Sequence, residues 1–349
     1  MAQLTTLGYI LAALFMLGVL IMFHELGHYL AARWCGIDVK EFAIGMGPKI
    51  FSRKGKHGTL FSLRVLPVGG FCMYYGEDEE APDPRAYNNQ PVWKRFLSVI
   101  AGPFMNFLLA LVVAVMFFMV WGVEMPVPVI DKLDEGMPAI EAGLLPGDRI
   151  LEIDGVPITR TRDASDLIHS SQGMPLVFIV ARGEEEFAVA VTPRYVEEHE
   201  AYLTGFQFGI VQTPLPFGPA ITTSASFCQH VVVVTYQALG DLIFRGQGTE
   251  GISGPVGIVN VIQQETRAGG LPIYLQLAVL ISINLGLMNL LPIPGLDGSR
   301  LIFFIVEAIR RKPLNRNVEG MIHFVGVVAL LGVILVFTYQ DVLNIFGVR

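Results

Sequence analysis

His24-Glu25-Leu26-Gly27-His28 places two imidazoles four residues apart with a carboxylate between them. On a helix, positions i and i+4 share a face, so both rings can reach one ion, and Glu25 stands beside any water on that ion. This arrangement suits zinc-assisted hydrolysis with Glu25 as general base. A catalytic zinc takes three protein ligands and keeps one position open, so a third ligand must come from elsewhere in the chain. His57, His169, His199 and His230 fall in expected loops or in the polar middle of the chain. His323 is the histidine rival. Asp297 is the better candidate, because it closes Asn289-Leu290-Leu291-Pro292-Ile293-Pro294-Gly295-Leu296-Asp297-Gly298. Two prolines break a helix there, and broken backbone at membrane depth survives only in protein or beside a wet cavity.

The elements that carry these groups are apolar. The 349 residues are 52% hydrophobic and 16% charged, well below the roughly 25% charged of soluble domains. Leu7 to Phe23 has no charge, and its helical pattern continues through Trp34, long enough to cross a bilayer. The start Met1-Ala2-Gln3-Leu4-Thr5-Thr6 has no basic side chain, which disfavours a cleaved leader. Further spans are expected over about Ser98–Gly122, from Ile273 to the Pro292/Pro294 region, and over about Ile322–Tyr339. Ala220–Leu239 is apolar but carries His230, Gln229 and Gln237. A fifth crossing would put Asp297 on the wrong side of the membrane from His24. We therefore expect this segment to be an external helix. Ionisable residues at the end of an apolar helix are costly and default to a functional reading.

Loop charge orients the spans. Lys40, Lys49, Arg53, Lys54, Lys56, Arg64, Arg85, Lys94 and Arg95 place the first connection in the cytosol, as Arg300, Arg310, Arg311, Lys312 and Arg316 place the last. The acidic stretch with Glu184-Glu185-Glu186 reads as external, as do both termini. No basic cluster with interleaved aromatics is present, so nucleic acid is not an expected partner. Cys35, Cys72 and Cys228 have no metal-type spacing and are expected as isolated thiols.

Between the spans, Asp148 to Gly155 reads as a strand entering an Asp-Gly turn, Asp163–Ser171 as a short helix, and 176–181 with 187–191 as a hairpin. Ala139 to Asp148 followed by Ile153-Asp154-Gly155 resembles a PDZ domain, a fold that binds extended peptides at a sheet edge. Gly58–Tyr75 is apolar in patches, too short to span, and punctuated by Pro67 and Gly69-Gly70.

These parts together resemble the site-2 protease family of intramembrane zinc metalloproteases, of the bacterial regulator-of-sigma-E type. The resemblance rests on HExxH in the first span and NxxPxPxLDG in a later one. Gly251 to Gly257, matching GxSGPxG, and the patch Ser282-Ile283-Asn284-Leu285-Gly286 add to it. The best-known members carry two PDZ domains, and this chain has room for one.

The resemblance implies a polytopic α-helical membrane protein of about four transmembrane helices, with a re-entrant β-hairpin at Gly58–Tyr75 and an inserted extracytoplasmic PDZ domain. The expected organisation is 1–125 for the first two spans, 126–195 for the PDZ domain, 196–272 for an external linker and helix, and 273–349 for the last two spans. It implies one Zn2+ held by His24, His28 and Asp297, Glu25 as general base, and Asn284, Asn289, Gly69 and Gly70 as substrate-binding positions. The expected partners are transmembrane proteins or signal peptides as substrates and the lipid bilayer, in a bacterial inner membrane. The alternative is a catalytically inactive PDZ-containing membrane adaptor, against which intact Glu25 and Asp297 count.

Overall fold

The computed structural model describes residues 2–77, 81–247 and 253–345. Contacts divide the chain into two compact units, one made of residues 1–119 with 216–349 and the other of residues 120–215.

The first unit is helical. It comprises α1 (Ala2–Trp34), α2 (Val92–Val120), α5 (Phe217–Gly240), α6 (Pro255–Leu290), α7 (Asp297–Arg310) and α8 (Arg316–Ile345). Gly270 has φ 67° and ψ −152°, so α6 is two helical halves meeting at a sharp bend. Small residues let the helices approach closely, as packing without a hydrophobic drive requires. A Cβ on Gly27 would lie 2.1 Å from the carbonyl oxygen of Ala101 on α2. Ala13, Met16 and Leu20 of α1 pack with Ile262 and Ala278 of α6. Tyr274 Oη donates to the Ala12 carbonyl at 2.9 Å. The far ends of α1 and of the second half of α6 lead to His24 and Asp297, so these two elements run in the same direction.

Among the described residues, five helices, not four, are long and apolar enough to cross a membrane. The addition is α5 with its π-helical extension, Phe217–Arg245. It packs against α2 and α6. Val231 is buried with Ala110 and Ala114 of α2 and with Val279 and Ile283 of α6, and Thr235 Oγ1 donates to Asn284 Oδ1 at 2.8 Å. Gln229, His230 and Gln237, which argued against a span, lie on the exposed side of this helix. Of the Gly251–Gly257 stretch, Gly251 and Ile252 lie outside the described residues. Gly257 N–H donates to Asp341 Oδ2 on α8 at 2.8 Å.

Beside α1 lie two long bent strands, β1 (Val39–Lys54) and β2 (Leu60–Tyr74). They double back on themselves. Residues 70–74 pair antiparallel with 39–44, residues 60–63 lie on the other side of 41–44, and 51–54 pair with 60–63. The strip 70–74 is therefore an edge. A buried Glu41 carboxylate ties the sheet together, accepting from Ser62 Oγ at 2.6 Å and Arg64 Nη2 at 2.8 Å, with Lys49 at 3.1 Å.

The second unit holds β3 (Val123–Leu133), α3 (Pro138–Glu141), β4 (Arg149–Ile153), β5 (Val156–Pro157), α4 (Thr161–Ser170), β6 (Leu176–Arg182), β7 (Glu185–Val191), β8 (Arg194–Val196), β9 (Ala201–Leu203) and β10 (Phe206–Thr213). Its main sheet has the order β10-β3-β4-β6-β7, with β5 on β4. Asp154 and Gly155, both at positive φ, make the two-residue turn between β4 and β5. Ile130, Ile150, Ile153, Phe178, Val180 and Val191 form its core. The unit reaches past residue 195 because β10 pairs along β3 and contributes the sheet's edge.

Candidate metal centre and active site

Three ligand atoms converge from two elements. His24 Nε2 and His28 Nε2 are 3.2 Å apart, and Asp297 Oδ2 is 3.1 Å and 3.3 Å from them. Four-coordinate zinc with arms of 2.0–2.1 Å sets its ligands at about 3.4 Å from one another, so the spacing fits. The chemistry fits as well. His28 Nδ1 faces the Ser98 carbonyl at 2.9 Å and must donate to it, which leaves Nε2 of a neutral ring as a lone pair. Asp297 Oδ2 is buried without a hydrogen-bond partner although both rings are close. Two ring nitrogens and a carboxylate oxygen converging this closely, with the carboxylate otherwise unpartnered, suit a cation.

The local sequence explains how each ligand arrives. His24 and His28 lie one turn apart on α1 and are both buried. Gly102 on α2 makes room for His28: a Cβ there would lie 2.3 Å from Nε2. Asp297 opens α7 after the turn at Pro292–Leu296. The glycine after it is required, since a Cβ on Gly298 would lie 2.2 Å from the Leu291 carbonyl oxygen.

Glu25 opens into the same cavity, of about 400 Å³, as the three ligands. Phe71, Cys72, Met73 and Tyr74 of the strand edge form one wall, and Asn289, Arg300 and His323 also line it. A Cβ on Gly70 would sit 3.1 Å from Glu25 Cγ, so the strand passes directly beside the carboxylate. Gly69, at φ 89°, packs under Met46 one residue further away. Asn289 donates to the Leu285 carbonyl at 3.0 Å. Asn284 is not among the lining residues and holds α5 instead. His323 faces the cavity but is not in the convergent group.

Sequence reading missed four contributors. Ser98, Gly102 and Asn106 line up at four-residue spacing on α2, against His28 and His24. Arg300, one turn after Asp297, pairs with Glu77 at 2.6 Å. The Gly102-Pro103-x-x-Asn106 string was a usable signal, because a buried Asn four residues from a Gly inside an apolar helix has to meet a partner.

Two histidines one turn apart, a carboxylate from a second element, and a free glutamate in the same cleft define a metallohydrolase site set among membrane-length helices. The family model described as peptidase family M50 matches residues 12–333, and the chain belongs to that family: it is a zinc metalloprotease. The regulator of sigma-W protease RasP of Bacillus subtilis is 31% identical, over 97% of this chain and 99% of that protein. Zinc metalloproteases RasP of Bacillus licheniformis and Geobacillus kaustophilus are 32% and 30% identical, over 97% and 98% of this chain and 99% of each relative. Among solved structures, the PDZ domain of an SdrC-like protein from Listeria monocytogenes is 21% identical, covering 23% of this chain and 84% of that one, at a TM-score of 0.22.

Proposed function

We propose that the protein hydrolyses peptide bonds of transmembrane substrates inside the bilayer, with one Zn2+ on His24, His28 and Asp297 and with Glu25 as general base. The observation that carries this is the convergence of the three ligand atoms at 3.1–3.3 Å in the cavity that Glu25 and the edge of a sheet also line. When bound, zinc supplies a Lewis acid that polarises the scissile carbonyl and acidifies water. Glu25 accepts the proton of the attacking water and returns it to the leaving nitrogen.

A helical substrate has its backbone groups paired within itself and must unwind before attack. Residues 70–74 can replace those bonds by strand addition, with Gly70 keeping the passage beside Glu25 open. Asn289 is suited to hold substrate backbone from the opposite wall. The re-entrant reading of the sheet is supported by its polarity. Ala43 and Gly70 stand beside Glu25 and Ile21 of α1, whereas Arg53, Lys54, Lys56 and His57 cluster at the far turn. The basic end suits the cytosolic interface of a bacterial inner membrane, with the residue 120–215 unit outside. The Gly143-to-Asp148 string and the open sheet edge at β10, one of two with that at β7, support a PDZ-type role for that unit.

The test is purified protein in lipid vesicles with a membrane-spanning peptide. The wild type should carry one zinc and cleave. Glu25→Gln should keep the zinc and lose activity by about 10²- to 10⁴-fold. Residual turnover within tenfold of wild type would remove Glu25 from the mechanism, and an intact protein without zinc or cleavage would favour the adaptor.

A further inference from the structure

Asn106 sits in the middle of α2, fully buried, with its amide 3.1 Å from His24 Nδ1. Its backbone carbonyl accepts Ser282 Oγ of α6 at 2.8 Å. One residue thus touches the ligand-bearing helix through its side chain and, through its main chain, the helix that leads to Asp297. With Nδ2 turned toward His24, Asn106 Oδ1 is left buried with no partner, a costly arrangement. The two ends of an amide exchange by a half-turn, and the surrounding network decides between them.

The metal decides here. A histidine that gives its Nε2 lone pair to a cation carries its proton on Nδ1, and that proton needs an acceptor. His28 has one in the Ser98 carbonyl. The group within reach of His24 Nδ1 that can serve is the Asn106 amide oxygen. Resting on the zinc reading above, we propose that Asn106 is a positioning residue: its Oδ1 accepts the Nδ1–H of His24, which fixes the tautomer and ring plane that aim Nε2 at the metal. The same half-turn satisfies the orphaned oxygen. The two histidines then have different supports, main chain for His28 and side chain for His24, and only the second can be removed by substitution.

The experiment measures zinc affinity of the full chain in detergent micelles by competition with a chelator, with circular dichroism as a control on folding. Asn106→Leu keeps the branched shape and removes the acceptor, and it should weaken zinc by about 10- to 100-fold. Asn106→Asp can only accept, so it should hold zinc near wild-type affinity. A packing role predicts the reverse order, since leucine suits an apolar interior and an added carboxylate does not. Asn106→Ser, too short to reach His24, replaces the leucine variant if that one does not fold, and should lose affinity likewise. The inference is overturned if the leucine and serine variants bind as the wild type does, or if the aspartate variant is as weak as they are. A wild type that holds no zinc overturns the metal reading itself, which is a separate result.

Discussion

Gly102→Ala is the smallest change that should empty the metal centre without touching a ligand. The added Cβ would stand 2.3 Å from His28 Nε2, 2.4 Å from Cε1 and 2.9 Å from Cδ2, where ordinary contact begins at 3.4 Å. The ring must therefore move by about 1 Å, whereas metal–ligand distances tolerate about 0.2 Å. Moving it breaks the 2.9 Å bond to Ser98 and opens the 3.2 Å and 3.3 Å gaps to His24 and Asp297. Backing α2 away instead would pull Asn106 from His24. A misplacement of this size costs about 10²-fold in turnover, and zinc occupancy should fall with it. Local unfolding is not the competing cause, because alanine is favoured over glycine in a helix interior by about 1 kcal/mol. Metal analysis of purified protein, with peptide cleavage in vesicles, reads both effects. Gly8→Ala, which meets no atom within 4 Å, is the matched control. A full equivalent of zinc and unchanged cleavage in Gly102→Ala would refute the reasoning.

Asp297→Ala should lose zinc while His323→Ala keeps it, since His323 faces the cavity from outside the convergent group; metal analysis showing the opposite would exchange their roles. A cysteine at Glu185 should react with an impermeant reagent on intact cells and one at Lys54 should not, and the reverse labelling would invert the proposed orientation. In the residue 120–215 unit, the Arg182 hydrogen bonds hold the buried Asp148 carboxyl below its ordinary value, against the opposing effect of burial. A depressed folded value contributes stability above the unfolded carboxyl's pKa of about 3.9 and loses it as pH falls through the folded one. Protection of β4 and β6 amides, relative to the unstructured exchange rate at each pH, should therefore fall below about pH 4. Arg182→Leu should weaken protection already at pH 7 and flatten that acid dependence; an equally steep profile in the variant would count against the pair.

What could be read in the sequence was the chemistry that announces itself by residue type. His24, Glu25, His28 and Asp297 stood out because ionisable groups in apolar helices need a reason to be there. The Asp154-Gly155 turn stood out because two successive positive φ values demand such residues. Ser98 and Gly102 did not, because each is ordinary in an apolar helix and acquires meaning only from what lies across from it; Asn106 signalled a partner without saying which. Ser98 acts through its backbone, which no residue type reveals. Gly102 acts by what it lacks. Asn284, expected as a substrate contact, is half-buried outside the cavity lining, and its oxygen accepts from Thr235 of α5.

That helix shows where counting spans fails. The parity argument assumed that every apolar helix reverses the chain, so a fifth had to be set aside to keep His24 and Asp297 at one level. The structure separates these questions. Phe227 of α5 meets Phe118, near the end of α2 that is remote from Ser98, and Thr235 meets Asn284 further along α6, so α5 runs beside α6 in the same direction. Two neighbouring helices that run the same way need a return between them. Gly254, just before α6, lies against Thr338 and Asp341 of α8, at the opposite end of that helix from His323. The second half of α6 runs parallel to α1 toward the metal ligands. The requirement that both ligands reach one level was sound. What it constrained was the direction of α6, and that direction is compatible with a fifth apolar helix packed in the bundle.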